Sequence, residues 1–159
     1  RPQQQLRVRG RLRRGFGPGE VAHERSETQP DGLHPRLLAP PTLQLGGKHG
    51  STPEVKPLWE VLYEADADVI LSAHEHNYER FAPQDPDGKA DPERGIREFV
   101  VGTGGKSHCA IVDPIANSEI HNDDTYGVLK LTLHPEGYDW RFVPVEGARF
   151  TDSGSARCH

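Results

Sequence analysis

Apolar positions fall into a few short, well-marked patterns, all of them after residue 50. Val55, Leu58, Trp59 and Leu62 recur at i, i+3, i+4 and i+7, the spacing of one helix face. Just ahead, Ser51-Thr52-Pro53-Glu54 has the form of a capping box with Pro near the first helical position. The pattern predicts a helix that starts there and ends near Ala65. Asp68-Val69-Ile70-Leu71 and Glu98-Phe99-Val100-Val101 are short, mostly apolar runs, as strands buried on both faces are. Gly102-Thr103-Gly104-Gly105 stops the second of them. Residues 106–124 show no period and are read as a long loop. From Gly127 the chain alternates, with Leu129, Leu131 and Leu133 on one face. After the turn His134-Pro135-Glu136-Gly137, the residues Tyr138, Trp140 and Phe142 form a matching face, which predicts a hairpin.

The order helix, strand, loop, strand, loop, hairpin predicts an α/β sheet layered with helices and finished by antiparallel strands. One amphipathic helix and so few strands amount to half of a core. The apolar runs are too short for a transmembrane helix, and no apolar stretch of a signal peptide is present near the N-terminus.

Composition and charge mark a boundary that periodicity only hints at. Hydrophobic residues make up 33% of the 159, and Gly and Pro together account for 31. Residues 1–49 carry nine Lys/Arg against four Asp/Glu, a net of +5, while residues 50–159 carry ten against twenty, a net of −10. Five of the N-terminal arginines cluster between Arg7 and Arg14, and Asn, Ile, Tyr and Trp are missing from the whole segment. A basic arm for nucleic acid is one reading of such a cluster. Aromatic interleaving is missing, and the acidic remainder disfavours a polyanion, so no nucleic-acid partner is expected. Residues 1–48 are read as disordered, with 49–159 as the folded portion. The first residue is Arg1, and Met is absent throughout, which suggests a fragment or a processed product. Cys109 and Cys158 are too few for a disulfide scaffold or a four-cysteine zinc site.

Candidate chemistry begins where the first strand runs out. Ala73-His74-Glu75-His76 follows Val69-Ile70-Leu71, and ligands in open α/β sheets collect beyond the carboxyl ends of strands. Two histidines at i and i+2 on an extended backbone point the same way, so both imidazoles can reach one metal or a close pair. Two surface histidines in a polar loop have the same spacing, and spacing alone does not choose between the two. Gly102-Thr103-Gly104-Gly105 reads as a phosphate cradle or, more simply, a tight turn. Asp85-Pro86-Asp87-Gly88 with Asp91 has a passing likeness to a calcium loop but lacks its terminal Glu, so it is read as a turn. His108 and Cys109 beside the Gly-rich loop read as added soft ligands or, more simply, as loop surface.

The longer string Leu71-Ser72-Ala73-His74-Glu75-His76-Asn77-Tyr78-Glu79-Arg80 resembles the last metal-binding motif of the calcineurin-like metallophosphoesterases in the purple acid phosphatase form, Gly-His-x-His-x-Tyr-Glu-Arg. Ala73 stands where that family has Gly. Phe99-Val100-Val101-Gly102-Thr103-Gly104-Gly105 and Asp152-Ser153-Gly154-Ser155 before Cys158-His159 are similar to segments of its secreted bacterial members. The resemblance covers roughly residues 47–159. It implies the C-terminal portion of a β-sandwich flanked by helices, from a hydrolase of phosphate esters that works with two divalent or trivalent ions (Fe, Zn, Mn or Ca). It also implies that His74 and His76 each ligate a different ion, and that the protein is extracellular or in the cell envelope. Tyr78, Glu79 and Arg80 are assigned to shaping the loop. The family's other ligands lie upstream of the matching portion, and residues 1–49 contain none of their motifs, so the chain is expected to be inactive alone. The alternative is a non-enzymatic α/β module binding one metal through the His-x-His loop.

The upstream segment adds one expectation. Codons can be written for Leu33–Leu45 that, read one base later, spell Cys-Thr-Leu-Ala-Tyr-Trp-His-His-Pro-Leu-Phe-Ser, similar to the family's stretch before the helix. Residues up to about Leu45 are therefore read as out of frame. Relatives would be expected to tie a C-terminal cysteine to a partner, whereas here no disulfide to Cys158 is expected and the tail from Phe150 is read as loose.

Overall fold

The structure, a computed structural model, describes residues 55–111 and 116–159, with the backbone of Pro35–Leu37. The capping box at residues 51–54 lies outside the described residues. So does the segment 1–48, apart from a three-residue strand β1 (Pro35–Leu37).

Helix α1 (Lys56–Glu64) is flanked by Val55 without a side-chain cap and carries Pro57 in its first turn. Trp59 and Leu62 of the expected stripe are its buried residues. Its end is a Schellman motif. The Ala67 amide donates to Leu62 O at 3.0 Å and the Asp66 amide to Tyr63 O at 3.1 Å. Asp66 takes the left-handed conformation (φ 51°) that usually falls to Gly.

Five strands form a mixed sheet in the order β1-β2-β4-β3-β5. They are β1, β2 (Val69–Ser72), β3 (Tyr78–Phe81), β4 (Arg97–Val101) and β5 (Ser118–Asn122). β1, β2 and β4 are parallel, and β3 runs antiparallel to both β4 and β5. The second sheet is antiparallel, in the order β6 (Gly127–His134), β7 (Gly137–Pro144), β8 (Ser153–Arg157). Its hairpin follows the expected register, with Leu129 opposite Phe142, Leu131 opposite Trp140 and Leu133 opposite Tyr138.

Alternation in the central strands sorts their side chains between two cores. Val69, Tyr78 and Phe99 face Tyr138, Trp140 and Phe142 of the second sheet. Ile70 faces the other way and packs with Trp59, Leu62, Ala67 and Ile96. The described portion is thus two packed sheets with a helix on the outer face of the larger one, an α/β arrangement of the kind expected.

Tyr78, Glu79 and Arg80, assigned to shaping the loop, lie in β3. Two expectations change. β5 lies inside the stretch read as a loop. The tail is not loose: β8 pairs with β7 from Gly137–Arg157 to Arg141–Ser153, and the His159 amide donates to Asp68 Oδ1 at 3.0 Å. No disulfide joins Cys109 and Cys158, so the tail is held by pairing and packing.

Candidate functional site

β2 and β3 are not neighbours, because β4 lies between them. The connection from Ala73 to Asn77 must therefore arch over the carboxyl end of β4, and His74 and His76 ride on that arch. The extended backbone expected for the two histidines is not what forms. His74 lies in the left-handed region at φ 85°, which a turning arch demands of some residue and which is uncommon outside Gly. His74 is exposed, His76 half-buried, and Glu75 between them fully buried.

The loop after β4 is stitched to the arch. The Gly102 amide donates to Asn77 O at 2.9 Å and the Cys109 amide to His76 O at 3.1 Å. His76 Nδ1 lies 2.9 Å from Ser107 O. A carbonyl only accepts, so Nδ1 carries the proton, and in the neutral ring Nε2 keeps its lone pair. That is the arrangement seen in histidines oriented for a cation. A Cβ on Gly102 would lie 1.6 Å from Glu75 O, so glycine here is required by the crossing backbone. Gly105 takes φ 131°. The Gly-rich stretch thus bends against the arch. Thr103 continues the stitching: its Oγ1 donates to Gly127 O at 2.9 Å and its carbonyl accepts from the Gly127 amide.

Beneath the arch the buried groups are polar. Ser72 Oγ donates to Glu98 Oε1 at 2.7 Å. Glu79 is fully buried, and burial pushes its carboxyl up to about 7 although Ser118 Oγ donates to it at 2.6 Å. Asn77 is fully buried with neither side-chain polar atom hydrogen-bonded, an arrangement that costs free energy. His108 stacks on Tyr126, with ring centroids 4.1 Å apart.

The acidic turns serve the backbone. Asp85 Oδ1 accepts from the Asp87 and Lys89 amides, and Asp91 Oδ1 from those of Glu93 and Arg94. A cavity of about 450 Å³, lined by Asp68, Arg97, Tyr138 and His159 among others, opens at the amino ends of β2 and β4, away from His74 and His76.

A well-connected polar side chain, Asp152, is legible in the sequence only as part of a tail segment, with no role of its own. Asp152, 6% exposed, accepts on Oδ2 from Tyr78 Oη (2.7 Å), Arg80 Nε (2.7 Å) and Trp140 Nε1 (3.1 Å), and on Oδ1 from Arg80 Nη2 (3.2 Å). Burial opposes its ionisation, but the donors from Arg80, Tyr78 and Trp140 overcome that and hold the carboxyl below its usual range. Burial and the same contact push the Tyr78 hydroxyl far up. Glu119 pairs with both Arg80 and Arg97, and both guanidinium groups lie about 5 Å from the Trp140 ring centre, at 5.0 and 5.2 Å. A lone Asp in a polar tail carries no sequence signal for such a position.

Among the described residues no three of His, Cys, Asp and Glu come together as a cation site. The described donors offer two imidazoles, whereas each ion of a two-metal centre takes about four or more ligands. They do not fit such a centre by themselves.

Sequence comparison finds no matching family profile and no matching curated protein. By structure, the chain is similar to a purple acid phosphatase, PPD1, isolated from yellow lupin (Lupinus luteus) seeds. The two share 20% identity with a TM-score of 0.63 over 77% of this chain and 24% of that one. It is also similar to GAP50, the anchor in the inner membrane complex of Plasmodium, at 18% identity and a TM-score of 0.56 over 70% of this chain and 33% of that one. The chain matches about a quarter and a third of the lengths of these proteins, and the likeness is one of fold.

Proposed function

We infer that this chain carries the C-terminal portion of a metal-dependent phosphoester hydrolase, and that His74 and His76 are its contribution to the metal centre. The observation that supports the reading most is the His76 imidazole. It sits on an arch beyond the carboxyl ends of two parallel strands, with Nδ1 committed to Ser107 O and Nε2 left for a cation. The phosphoesterase-like fold supports it as well, though fold alone does not select an enzyme over a binding protein. When assembled, a two-metal centre supplies an activated hydroxide and a clamp on phosphate oxygens. Its remaining donors lie outside the described residues. The substrate class is a phosphate ester, and the resemblance of residues 99–105 and 152–159 to segments of secreted members favours an extracellular or cell-envelope location.

The test is a zinc titration of the chain followed by calorimetry and metal analysis. Weak, saturable binding is expected, lost in the His74→Ala, His76→Ala double variant. Binding unchanged by the double substitution would overturn the reading.

A further inference from the structure

The arch that carries His74 and His76 has two covalent ends and is held by non-covalent ties at three places. At the β2 end, Ser72 is bound to Glu98. Along its length, the Gly102–Cys109 loop supplies the bonds to His76 and Asn77. At the β3 end, the first residue of the strand, Tyr78, is two positions from His76, and its hydroxyl donates to Asp152, as does Arg80 two positions further on. The third tie comes from the far end of the chain, 74 residues from Tyr78.

We propose that Asp152, the residue just ahead of β8, is a positioning residue for the His74–His76 loop, so that the C-terminal segment is a working part of the site. The carboxylate is well placed for this. Its own backbone is fixed, because the Phe142 amide donates to Asp152 O at 2.7 Å. Its side chain gathers donors from both sheets, Tyr78 and Arg80 on β3 and Trp140 on β7. Rotation or sliding of β3 relative to the second sheet breaks several charge-assisted bonds at once, in a place where water has little access to replace them. β3 is the exit of the arch, so its fixed position sets where the arch lands relative to β4 and to the Ser107 carbonyl that orients His76. The network is balanced: two guanidinium groups, Arg80 and Arg97, face two carboxylates, Asp152 and Glu119. Removing Asp152 leaves Arg80 with Glu119 alone, which also serves Arg97. β3 then keeps its pairing with β4 and β5 but loses the tie of Tyr78 and Arg80 to the second sheet.

The positional part of the proposal stands without any metal, and only its consequence for cation binding rests on the function inferred above. The first readout is therefore the imidazole tautomer of His76 in metal-free protein, at a pH near 8 where imidazoles are neutral, from long-range proton–nitrogen NMR correlations. The full chain is expected to show a single Nδ1-protonated tautomer for His76. Asp152→Ala is expected to lose that signature to an averaged one at a temperature where circular dichroism shows the sheets intact. Leu62→Ala, which opens the core on the opposite face of the sheet, serves as a control of similar destabilisation and is expected to keep it. If Asp152→Ala does not fold, Tyr78→Phe decides, since it deletes one donor and keeps the ring; a partial loss of the signature is expected. An unchanged signature in the folded Asp152 or Tyr78 variant, or an equal loss in Leu62→Ala, overturns the proposal. The second readout is zinc affinity, expected to fall about tenfold in Asp152→Ala, as for losses of residues that orient ligands. A wild-type chain that binds no zinc counts against the metal reading and leaves the tautomer result to judge the positioning role.

Discussion

Tyr78, Glu79 and Arg80 are consecutive, yet the pleat of β3 sends them into two chemically different interiors. Tyr78 and Arg80 enter the space between the sheets and meet Asp152, whereas Glu79 enters the opposite face with Ser118 as its hydrogen-bond partner. The string Tyr78-Glu79-Arg80 stood out in the sequence, but its side chains' destinations did not, because they depend on partners 39 to 74 residues away. Glu79 yields a prediction of definite sign. Its carboxyl is raised from 4.5 to about 7 by burial. The stabilisation from its protonated form is complete below the unfolded pKa and is lost as pH rises through the folded one. The loss between pH 4 and pH 8 is on the order of 3 kcal/mol. Glu79→Gln, which keeps the hydrogen bond to Ser118, is expected to match wild type near pH 4 and to melt higher at pH 8. A melting difference independent of pH would refute this. Gly102 gives a second prediction. The Gly102 amide is bound to Asn77 O and the Glu75 carbonyl crosses where a Cβ would lie, so Gly102→Ala is expected to cost about 1–3 kcal/mol through overpacking and to raise amide exchange at residues 74–77 above that of β7. Protection of the arch equal to wild type would show that the crossing can relax.

The elements that sequence reading found are those whose own residues bury an apolar face. α1, β2, β4 and the β6–β7 hairpin all do so. β8 and β5 were missed for opposite reasons. In β8 the inward positions Gly154 and Ala156 are small because Trp140 and Tyr138 already fill the space: a Cβ on Gly154 would lie 2.4 Å from Trp140 Cζ2. A strand whose inner face must be small shows no apolar alternation. In β5 one residue, Ile120, packs against the core between the sheets, and the register shifts at Arg80–Phe81, so one apolar residue in five carries no period. Gly154→Val is expected to destabilise the fold by about 1–3 kcal/mol and to redshift Trp140 emission as β8 lifts. Fluorescence with urea unfolding checks both. An unshifted spectrum at wild-type stability would mean that β8 is not seated on Trp140.

At the scale of the molecule, the described residues build a frame for a site more completely than they build the site. Two sheets, the helix, the arch and the Asp152 network fix where two imidazoles stand, yet a two-metal hydrolase needs several more donors, among them a bridging group that keeps the ions close. A cation held by one or two imidazoles exchanges readily and does not hold a second ion at the required separation. The chain by itself is therefore expected to show no metal-dependent turnover of an aryl phosphate when zinc, manganese, iron or calcium is supplied. The appropriate comparison is the His74→Ala, His76→Ala double variant at equal protein concentration, with metal-only blanks, because free ions hydrolyse activated esters slowly. Equal rates in wild type, double variant and blank are the expected result, alongside the weak zinc binding that only wild type shows. Turnover that requires metal and disappears with the two histidines would mean that a working centre assembles from this chain. Donors outside the described residues would then have to come from the same polypeptide, since nothing else is present in the assay.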